Sequence, residues 1–329
     1  MKNIIIFGGA GFIGTNLTKR LLDVGNKVIC VDNLFTGRKS NIAQFLKNDN
    51  YYWINQDITS SDCYDVLKIL VSIVFDSKVD EIYNLACPAS PTKYQIDTIY
   101  TIHASLAIED ICKLAIEYGA RMLHSSTSEV YGDPIVHPQT EDYRGNVNTM
   151  GPRACYDEGK RIAETIIYEY AKRGCKAKII RIFNTYGPWM DPNDGRVISN
   201  FVCQALLNKD ITIYGDGTQT RSFQYIDDLI DGMLSMMGTE DSYIGPVNLG
   251  SPYEFTMNEL AQLVLEKIPE STSKIVYKEL PEDDPVQRKA NIDKMYIKTA
   301  WQPYRKLDVG LDKTISYFKK ELQTTNFQF

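Results

Sequence analysis

A glycine-rich turn directly follows the first strand-like segment of the chain and opens its first helical segment. The apolar run Ile4–Phe7 is followed by Gly8-Gly9-Ala10-Gly11-Phe12-Ile13-Gly14. In a strand–turn–helix unit, such glycines permit a tight turn, bring backbone N–H groups close to a pyrophosphate and let the helix pack closely on the strand. The segment therefore predicts a dinucleotide-binding βαβ unit, with contacts from Gly8, Gly11, Phe12, Ile13 and Gly14.

An acidic residue stands where such a unit needs one. Asp32 ends the second strand-like run, 18 residues after Gly14, and its carboxylate can accept hydrogen bonds from both ribose hydroxyls of NAD. The same charge would repel the 2′-phosphate of NADP, although Arg38 and Lys39 lie close enough to soften that repulsion, so we predict NAD as the cofactor. Two roles stay open for Asp57, contact with the adenine or capping of the next helix.

Strand-like and helix-like segments alternate through the first half of the chain. Parallel strands joined by helical crossovers form a doubly wound open sheet that binds ligands at the carboxyl ends of its strands. We predict an α/β fold, with a Rossmann-type NAD-binding domain at 1–185 to which some later segments return. A smaller C-terminal α/β lobe at 186–320 and a loose tail at 321–329 follow. The predicted strands are Lys2–Phe7, Lys27–Val31, Tyr51–Asn55, Glu81–Leu85, Met122–Ser126 and Lys178–Phe183, and the long helices are Phe12–Val24, Asp62–Phe75, Tyr94–Tyr118 and Cys155–Arg173.

The charge balance and the short apolar runs argue against several kinds of partner. The 36 Lys and Arg residues are outnumbered by 42 Asp and Glu residues, which gives a net charge of −6 and opposes binding to nucleic acid or anionic membranes. No apolar run approaches the roughly 20 residues needed to cross a bilayer, and no signal-peptide pattern is evident, so we expect a cytoplasmic protein. Seven scattered cysteines and three histidines without ligand spacing predict reduced thiols and no metal site.

A tyrosine and a lysine four residues apart indicate the chemistry. Tyr156 and Lys160 would share one face of the predicted helix 155–173, where the ammonium favours the ionised form of the phenol. The preceding strand ends in Ser125-Ser126-Thr127-Ser128-Glu129, and Thr127 can hydrogen-bond the oxygen being oxidised. Hydroxyl, phenol, ammonium and dinucleotide together predict hydride transfer between a secondary alcohol and nicotinamide.

These motifs resemble those of the extended short-chain dehydrogenase/reductases, the NAD-dependent nucleotide-sugar epimerase/dehydratase family, and most of all its UDP-glucuronate decarboxylases. The resemblance covers residues 1 to about 315. It implies NAD as cofactor, oxidation of C4 of a UDP-linked sugar, loss of CO2 from C5 and return of the hydride to give UDP-xylose. The matching stretches are Cys87–Pro91, Ser126–Pro134, His137–Gln139, Gly145–Asn148, Gly151–Arg153, Cys155–Lys160, Arg181–Pro188, Asp194–Phe201, Tyr214–Phe223 and Asp283–Pro285.

The resemblance also assigns roles to individual residues. The implied catalytic residues are Thr127, Ser128, Glu129, Tyr156 and Lys160. Ser128 stands where related 4,6-dehydratases carry an Asp that expels the 6-hydroxyl as water, and Glu129 would position water, protonate C5 or serve as a structural hydrogen-bond partner. Beyond the glycine loop and Asp32, the implied cofactor contacts are Asn33, Thr36, Gly37, Asp57, Ile58, Leu85, Ala86, Tyr156 and Lys160.

The implied substrate contacts lie mostly in the lobe at 186–320, which would hold the nucleotide sugar. Among them Arg221 is the strongest choice for a phosphate or a glucuronate carboxylate, because the planar guanidinium donates two aligned hydrogen bonds. The full set is Pro88, Tyr94, Asn184, Arg196, Val197, Tyr214, Gln219, Arg221 and Arg288.

The chain departs from the decarboxylase pattern in a loop that lies over the sugar in related enzymes. Decarboxylases typically carry Trp at position 144 and Pro at position 149, where this chain has Arg144 and Thr149. A 4-epimerase, a 4,6-dehydratase or a C4-dehydrogenase acting on a different nucleotide sugar therefore stays open, as does a dinucleotide-binding protein without catalytic activity.

The resemblance implies a homodimer as well. In the resembling family, helices corresponding to residues 94–118 and 155–173 pair with the same helices of a second subunit. The alternative is that the apolar residues of these helices, among them Ile99, Ile102, Leu106 and Ile166, are buried within the monomer's own core.

Overall fold

Short β-branched runs form the strands and longer amphipathic runs form the helices. The structure, a computed structural model, describes residues 1–279 and 287–324. The strands are β1 (Asn3–Phe7), β2 (Lys27–Val31), β3 (Tyr51–Ile54), β4 (Glu81–Asn84), β5 (Arg121–Thr127), β6 (Lys176–Ile182), β7 (Thr185–Tyr186), β8 (Ile211–Tyr214), β9 (Thr220–Ser222), β10 (Gln224–Tyr225), β11 (Val247–Leu249), β12 (Glu254–Thr256), β13 (Ile275–Lys278) and β14 (Gln287–Arg288). The helices are α1 (Phe12–Asp23), α2 (Lys39–Ile42), α3 (Ser61–Phe75), α4 (Pro91–Tyr94), α5 (Thr98–Leu106), α6 (Ile108–Tyr118), α7 (Ala154–Ala171), α8 (Val197–Leu206), α9 (Ile226–Met237), α10 (Met257–Lys267), α11 (Asp293–Thr299) and α12 (Leu307–Thr324).

Seven of the described strands form one parallel sheet. Their order is β11-β6-β5-β4-β1-β2-β3, and Ile5 of the central strand β1 pairs with Ile29 of β2 and Ile82 of β4. The direction of winding reverses between β1 and β4, which opens a crevice at the carboxyl ends of these strands. The sheet confirms the predicted Rossmann-type fold.

Helices cover both faces of this sheet. On one face Ile4 and Ile6 pack in a core with Leu17 of α1 and Met233 of α9. On the other face Ile5 and its neighbours pack against α3, α6 and α7. Complete burial of one such side chain contributes about 1.5–3 kcal/mol. This double cover explains why the strands are apolar throughout instead of alternating with polar residues.

Beyond β6 the chain moves between the main sheet and smaller sheets. β7 pairs with β10, β8 pairs with β13, and β9 lies between β12 and β14. Helix α9 and strand β11 return to the main sheet, where β11 is an edge strand. The small sheet of β9 and β14 places Arg221 beside Arg288. None of the helices in the described ranges is long and apolar enough to span a membrane.

Two predicted elements differ from the structure. The segment predicted as one helix over 94–118 contains the end of α4 and the separate helices α5 and α6. Asp97 starts α5 anew because its carboxylate accepts the N–H of Tyr100 at 2.8 Å, a favoured N-cap arrangement. The tail predicted at 321–329 begins too early, because α12 continues to Thr324 with Leu311 and Phe318 buried. Residues 325–329 lie outside the described residues.

Candidate active site

A pocket of about 220 Å³ lies where β1, β2, β4 and β5 end. It gathers residues that are far apart in the sequence, because parallel strands bring their carboxyl ends to the same edge of the sheet. The predicted site residues that line it are Gly8, Gly11, Phe12, Ile13, Gly14, Asp32, Asn33, Thr36, Ile58, Leu85, Ala86, Pro88, Thr127, Ser128, Glu129, Tyr156, Lys160, Asn184 and Arg196.

The glycine loop forms a cradle at one end of this pocket. Gly8 has a φ of +81°, and its N–H donates to the Val31 carbonyl at 2.8 Å. A Cβ atom on Gly14 would lie 2.2 Å from the Gly8 carbonyl oxygen, whereas one on Gly11 would meet its nearest protein atom at 3.4 Å. The free N–H groups at the start of α1 and the positive end of its dipole therefore lie beside open space, which fits the pyrophosphate of NAD.

Asp32 lies beside this cradle with its carboxylate partly occupied by the backbone. Its oxygens accept the N–H groups of Ala10 at 2.9 Å and Leu34 at 2.8 Å. Burial raises the pKa of Asp32, and these two hydrogen bonds act in the opposite direction. Gly37 does not line the pocket but supports the carboxylate, because a Cβ atom there would lie 2.6 Å from Oδ1. The remaining lone pairs of Asp32 fit the ribose hydroxyls of NAD.

Asp57 lies next to the pocket and neither lines it nor caps a helix. Its Oδ1 accepts the backbone N–H of Thr59 at 2.8 Å, and its Oδ2 accepts the side-chain amide of Asn33 at 2.8 Å. The N-cap of α3 is Ser60. Burial opposes ionisation of Asp57, but the hydrogen bonds outweigh it and hold its pKa below the usual range. Asp57 thus orients Asn33, and its neighbour Ile58 lines the pocket.

Thr127, Tyr156 and Lys160 meet where β5 ends against α7. The Thr127 hydroxyl lies near the Tyr156 phenol and acts to lower its pKa. The Lys160 ammonium donates to the Ser125 carbonyl at 2.8 Å and lies 5.8 Å from the centre of the Tyr156 ring. Burial raises the pKa of Tyr156 and lowers that of Lys160. Proton exchange at Tyr156 therefore depends on positive charge held close to the phenol.

Tyr94 packs against Tyr156 and does not line the pocket. The rings of Tyr94 and Tyr156 are parallel within 2°, with their centres 5.0 Å apart. Tyr94 is 1 % exposed. The stack packs Tyr94 of α4 against the ring of Tyr156 and adds no reactive group to the pocket.

Glu129 is the centre of a cluster of charges at the same end of the pocket. Its carboxylate forms a bidentate ion pair with Arg288, at 2.5 and 2.9 Å, and a second ion pair with Arg153. Burial would raise the pKa of Glu129, but the charges of Arg288 and Arg153 outweigh it and hold the pKa at about 2. The two guanidinium groups outweigh the one carboxylate of Glu129. The buried Asp157 beside them, whose pKa burial raises to about 7, offsets part of that positive charge.

This ionised state bears on one of the roles left open for Glu129, the protonation of C5. A carboxylate with a pKa of about 2 has no proton to donate to C5 at neutral pH. Its ion pairs instead fix the positions of two arginines. These ion pairs fit the structural role of Glu129, and an ionised carboxylate can also position water.

The remaining predicted substrate contacts lie outside the lining of the pocket. Val197 is the first residue of α8, directly after Arg196, whose guanidinium donates to the Ala89 carbonyl at 2.8 Å. Tyr214 is 44 % exposed, and its carbonyl accepts a hydrogen bond from Gln219. Arg221 and Arg288 lie side by side, and the charge of Arg221 also lowers the pKa of Glu129. The matching stretch Asp283–Pro285 lies outside the described residues.

Sequence reasoning assigned no role to Arg153, which the structure joins to Glu129. Arg153 precedes Tyr156 by three residues, a spacing that places both side chains on one side of the first turn of α7. This three-residue spacing could have indicated that Arg153 lies near Tyr156. Within the described ranges, no group of His, Cys, Asp or Glu side chains is arranged to hold a metal ion.

Comparison with known proteins agrees with this geometry. A model of the NAD dependent epimerase/dehydratase family matches residues 4–250. The chain is 47% identical over 324 residues to UDP-glucuronic acid decarboxylase 1 of Danio rerio, covering 98% of this chain and 74% of that protein. It is 46% identical over 321 residues to UDP-glucuronic acid decarboxylase 1 of Arabidopsis thaliana, covering 97% of this chain and 70% of the relative.

A solved structure shares the fold over nearly the whole chain. The UDP-glucuronic acid 4-epimerase of Bacillus cereus, determined in complex with UDP-glucuronic acid and NAD, superposes with a TM-score of 0.84 at 26% identity. The match covers 97% of this chain and 99% of the epimerase.

The buried ion pairs of Glu129 generate a stability prediction. Glu129→Gln removes the carboxylate and with it the buried ion pairs to Arg288 and Arg153, so the free energy of unfolding should fall by about 3 kcal/mol. Urea denaturation at pH 7 measures it. The matched control is Glu158→Gln on α7, whose partner Arg161 lies at 3.5 Å in an exposed pair and whose loss should cost less than about 0.5 kcal/mol. An equally small loss of unfolding free energy in both variants would contradict the prediction that the ion pairs of Glu129 stabilise the fold.

Proposed function

The chain belongs to the NAD-dependent epimerase/dehydratase family, and we propose that it converts UDP-glucuronate to UDP-xylose and CO2 through a transient 4-keto sugar. The observation that carries the proposal is the positive charge of two arginines, Arg153 and Arg288, that Glu129 holds beside Ser128, in a chain 47% identical to a UDP-glucuronic acid decarboxylase. A substrate carboxylate is attracted to that charge, and a neutral hexose gains nothing from it.

Tyr156 exchanges the proton of the C4 hydroxyl, assisted by Thr127 and Lys160. The glycine loop and Asp32 would hold NAD, which would supply reversible hydride acceptance at C4. Tyr156 takes the hydroxyl proton and gives it back at the end, and Thr127, which lies near the phenol, hydrogen-bonds the same substrate oxygen. Lys160 supplies positive charge 5.8 Å from the phenol ring, which counteracts the effect of burial on the pKa of Tyr156.

Oxidation at C4 labilises the carboxylate on C5. The oxidised sugar is a β-keto acid, which loses CO2 as its C5–carboxylate bonding electrons move into the C4 carbonyl, leaving an enolate that C5 protonation converts back to a ketone. Thr127 and Tyr156 can stabilise the charge on O4 during this step because both side chains line the same part of the pocket and both carry hydroxyl donors.

Ser128 separates this chemistry from dehydration. Expulsion of a 6-hydroxyl as water requires an acid next to the substrate's C6, and a serine hydroxyl is a poor acid. Ser128 also adds no negative charge near the carboxylate, while the only acid of its strand end, Glu129, is already paired with two arginines. The arginine charges and the poor acidity of Ser128 both favour decarboxylation.

The nucleotide half of the substrate would extend toward the lobe. Asn184 and Arg196 line the pocket after β6 and before α8, and Arg221 lies just beyond it next to Arg288. Guanidinium groups of this kind bind a diphosphate through paired hydrogen bonds. Tyr214 and Gln219, which contact each other in the lobe, are proposed to face the uridine.

The reaction itself is tested by product analysis. Purified enzyme should convert UDP-glucuronate to UDP-xylose with release of CO2, seen by mass spectrometry as a loss of about 44 mass units. The assay panel should include UDP-glucose and dTDP-glucose, on which no turnover is expected because they lack the C5 carboxylate. Formation of UDP-galacturonate would instead identify a 4-epimerase, and a 4-keto-6-deoxy product would identify a dehydratase.

The role of Tyr156 generates a second prediction. Tyr156→Phe should keep the stacked ring and the bound NAD but lower turnover by roughly 100-fold, because the proton acceptor is lost. Steady-state kinetics and the dinucleotide content of the purified protein measure the two effects. Tyr168→Phe, on the same helix but 54% exposed, is the control and should keep full activity. Undiminished turnover of Tyr156→Phe would refute Tyr156 as the acid–base residue.

We further propose that the chain forms a homodimer through α5 and α7. These two helices pack against each other, yet Ile99 and Leu106 of α5 are 60% and 40% exposed and Ile162 of α7 is 42% exposed. The exposure of Ile99 and Leu106 argues against their burial in the monomer's own core. A second copy of the same helix pair would cover this apolar face and form a four-helix interface.

The dimer prediction is tested by placing a charge in that face. Ile162→Glu should convert the dimer to a monomer in size-exclusion chromatography with light scattering, because a buried unpaired carboxylate is strongly unfavourable at an interface. Ile297→Glu on α11, where the side chain is 82% exposed, is the control and should leave the mass unchanged. A wild-type protein that is monomeric at micromolar concentration would contradict the proposal.

A further inference from the structure

The last helix of the chain returns to the cofactor end of the pocket. Glu321 of α12 forms an ion pair with Arg38, in which the side chains are 14% and 21% exposed. Tyr317, one turn earlier, lies beside both side chains and packs on Trp189 with ring centres 5.5 Å apart. Arg38 and Trp189 both line the pocket, so α12 contacts the pocket wall through these two residues.

Arg38 lies close to the carboxylate that would bind the ribose. It follows Gly37, which packs against Oδ1 of Asp32, and its backbone N–H donates to the Ala10 carbonyl at 3.1 Å. Ala10 in turn donates to Oδ2 of Asp32 at 2.9 Å. One guanidinium nitrogen of Arg38, Nη1, is buried and makes no hydrogen bond within the described part of the chain. The side chain therefore has unused donor capacity near the ribose site.

An arginine in this place has an obvious alternative partner. A 2′-phosphate on the adenosine ribose carries negative charge that a guanidinium binds through two aligned hydrogen bonds. The sequence alone leaves Arg38 as a residue that softens the repulsion between Asp32 and such a phosphate. In the structure the charge of Arg38 is already compensated by Glu321, a residue 283 positions later.

We propose that Glu321 is a cofactor-specificity residue, which holds Arg38 in an ion pair and so denies NADP the cation that its 2′-phosphate requires. Discrimination then has two parts, repulsion by Asp32 and sequestration of Arg38 by α12. The inference rests on the placement of the adenosine ribose at Asp32 in the proposed function, and it is independent of the sugar substrate.

The test measures cofactor binding and needs no turnover. Protein as purified is incubated with an equimolar excess of NAD and NADP, freed of unbound nucleotide and denatured, and the released dinucleotides are quantified. Glu321→Gln should raise the bound NADP:NAD ratio by about tenfold, the effect of one charge-assisted hydrogen bond. Glu321→Ala, which also removes the acceptor oxygen, should raise it at least as far.

Two further variants decide whether the effect passes through Arg38. In Arg38→Ala/Glu321→Gln the ratio should return to the wild-type value, because the freed cation is gone. Asp231→Asn removes an acid of α9 that pairs with Arg20 away from the pocket and should leave the ratio unchanged. An unchanged ratio in both Glu321 variants, with thermal unfolding and total bound dinucleotide close to wild type, would overturn the proposal. So would an increase that persists in the double variant.

If the enzyme does not convert UDP-glucuronate but the NADP:NAD ratio still shifts in the Glu321 variants, only the decarboxylase proposal is refuted. If no dinucleotide of either kind is bound by the wild-type protein, the placement of the cofactor itself is wrong.

Discussion

The contact between Gly8 and Gly14 is the constraint on which the rest of the site depends. A Cβ atom on Gly14 would lie 2.2 Å from the Gly8 carbonyl oxygen, so only glycine lets α1 start directly on the end of β1. That contact aims the N-terminus of α1 at the crevice where the strand order reverses. Asp32, Leu85 and Thr127, each at or just after the end of a neighbouring strand, then face the same space because the strands are parallel.

The two ends of the pocket differ in which charge is neutralised by an ion pair. At the cofactor end, buried Asp32 is a negative group among backbone N–H donors, and the nearby cation Arg38 is neutralised by Glu321. At the end near Ser128, Glu129 is the neutralised group, and the positive charge of Arg153 and Arg288 is offset in part by Asp157. Such an arrangement suits a cofactor with free ribose hydroxyls and a substrate with a carboxylate.

Local spacing in the sequence was enough to predict the glycine loop, Asp32, and the pair Tyr156 and Lys160, because each depends on one turn, one strand end or one helix face. Local spacing could not predict contacts between distant segments. Nothing local reveals that Asp57 orients Asn33, that Arg288 pairs with Glu129, or that Glu321 reaches Arg38. Helix α12 itself is a local feature. Its buried residues Leu307, Leu311, Thr314 and Phe318 recur at helical spacing, and such a period in the sequence predicts a helix.

The central claim is that oxidation at C4 is transient and that the hydride returns to the carbon it left. UDP-glucuronate deuterated at C4 tests it directly, with the product examined by NMR and mass spectrometry. UDP-xylose should keep the deuterium at C4 and gain one hydrogen from solvent at C5, because Tyr156 exchanges only the hydroxyl proton and CO2 leaves from C5. UDP-xylose without deuterium at C4 would contradict the claim, since the hydride would then have been lost between oxidation and reduction.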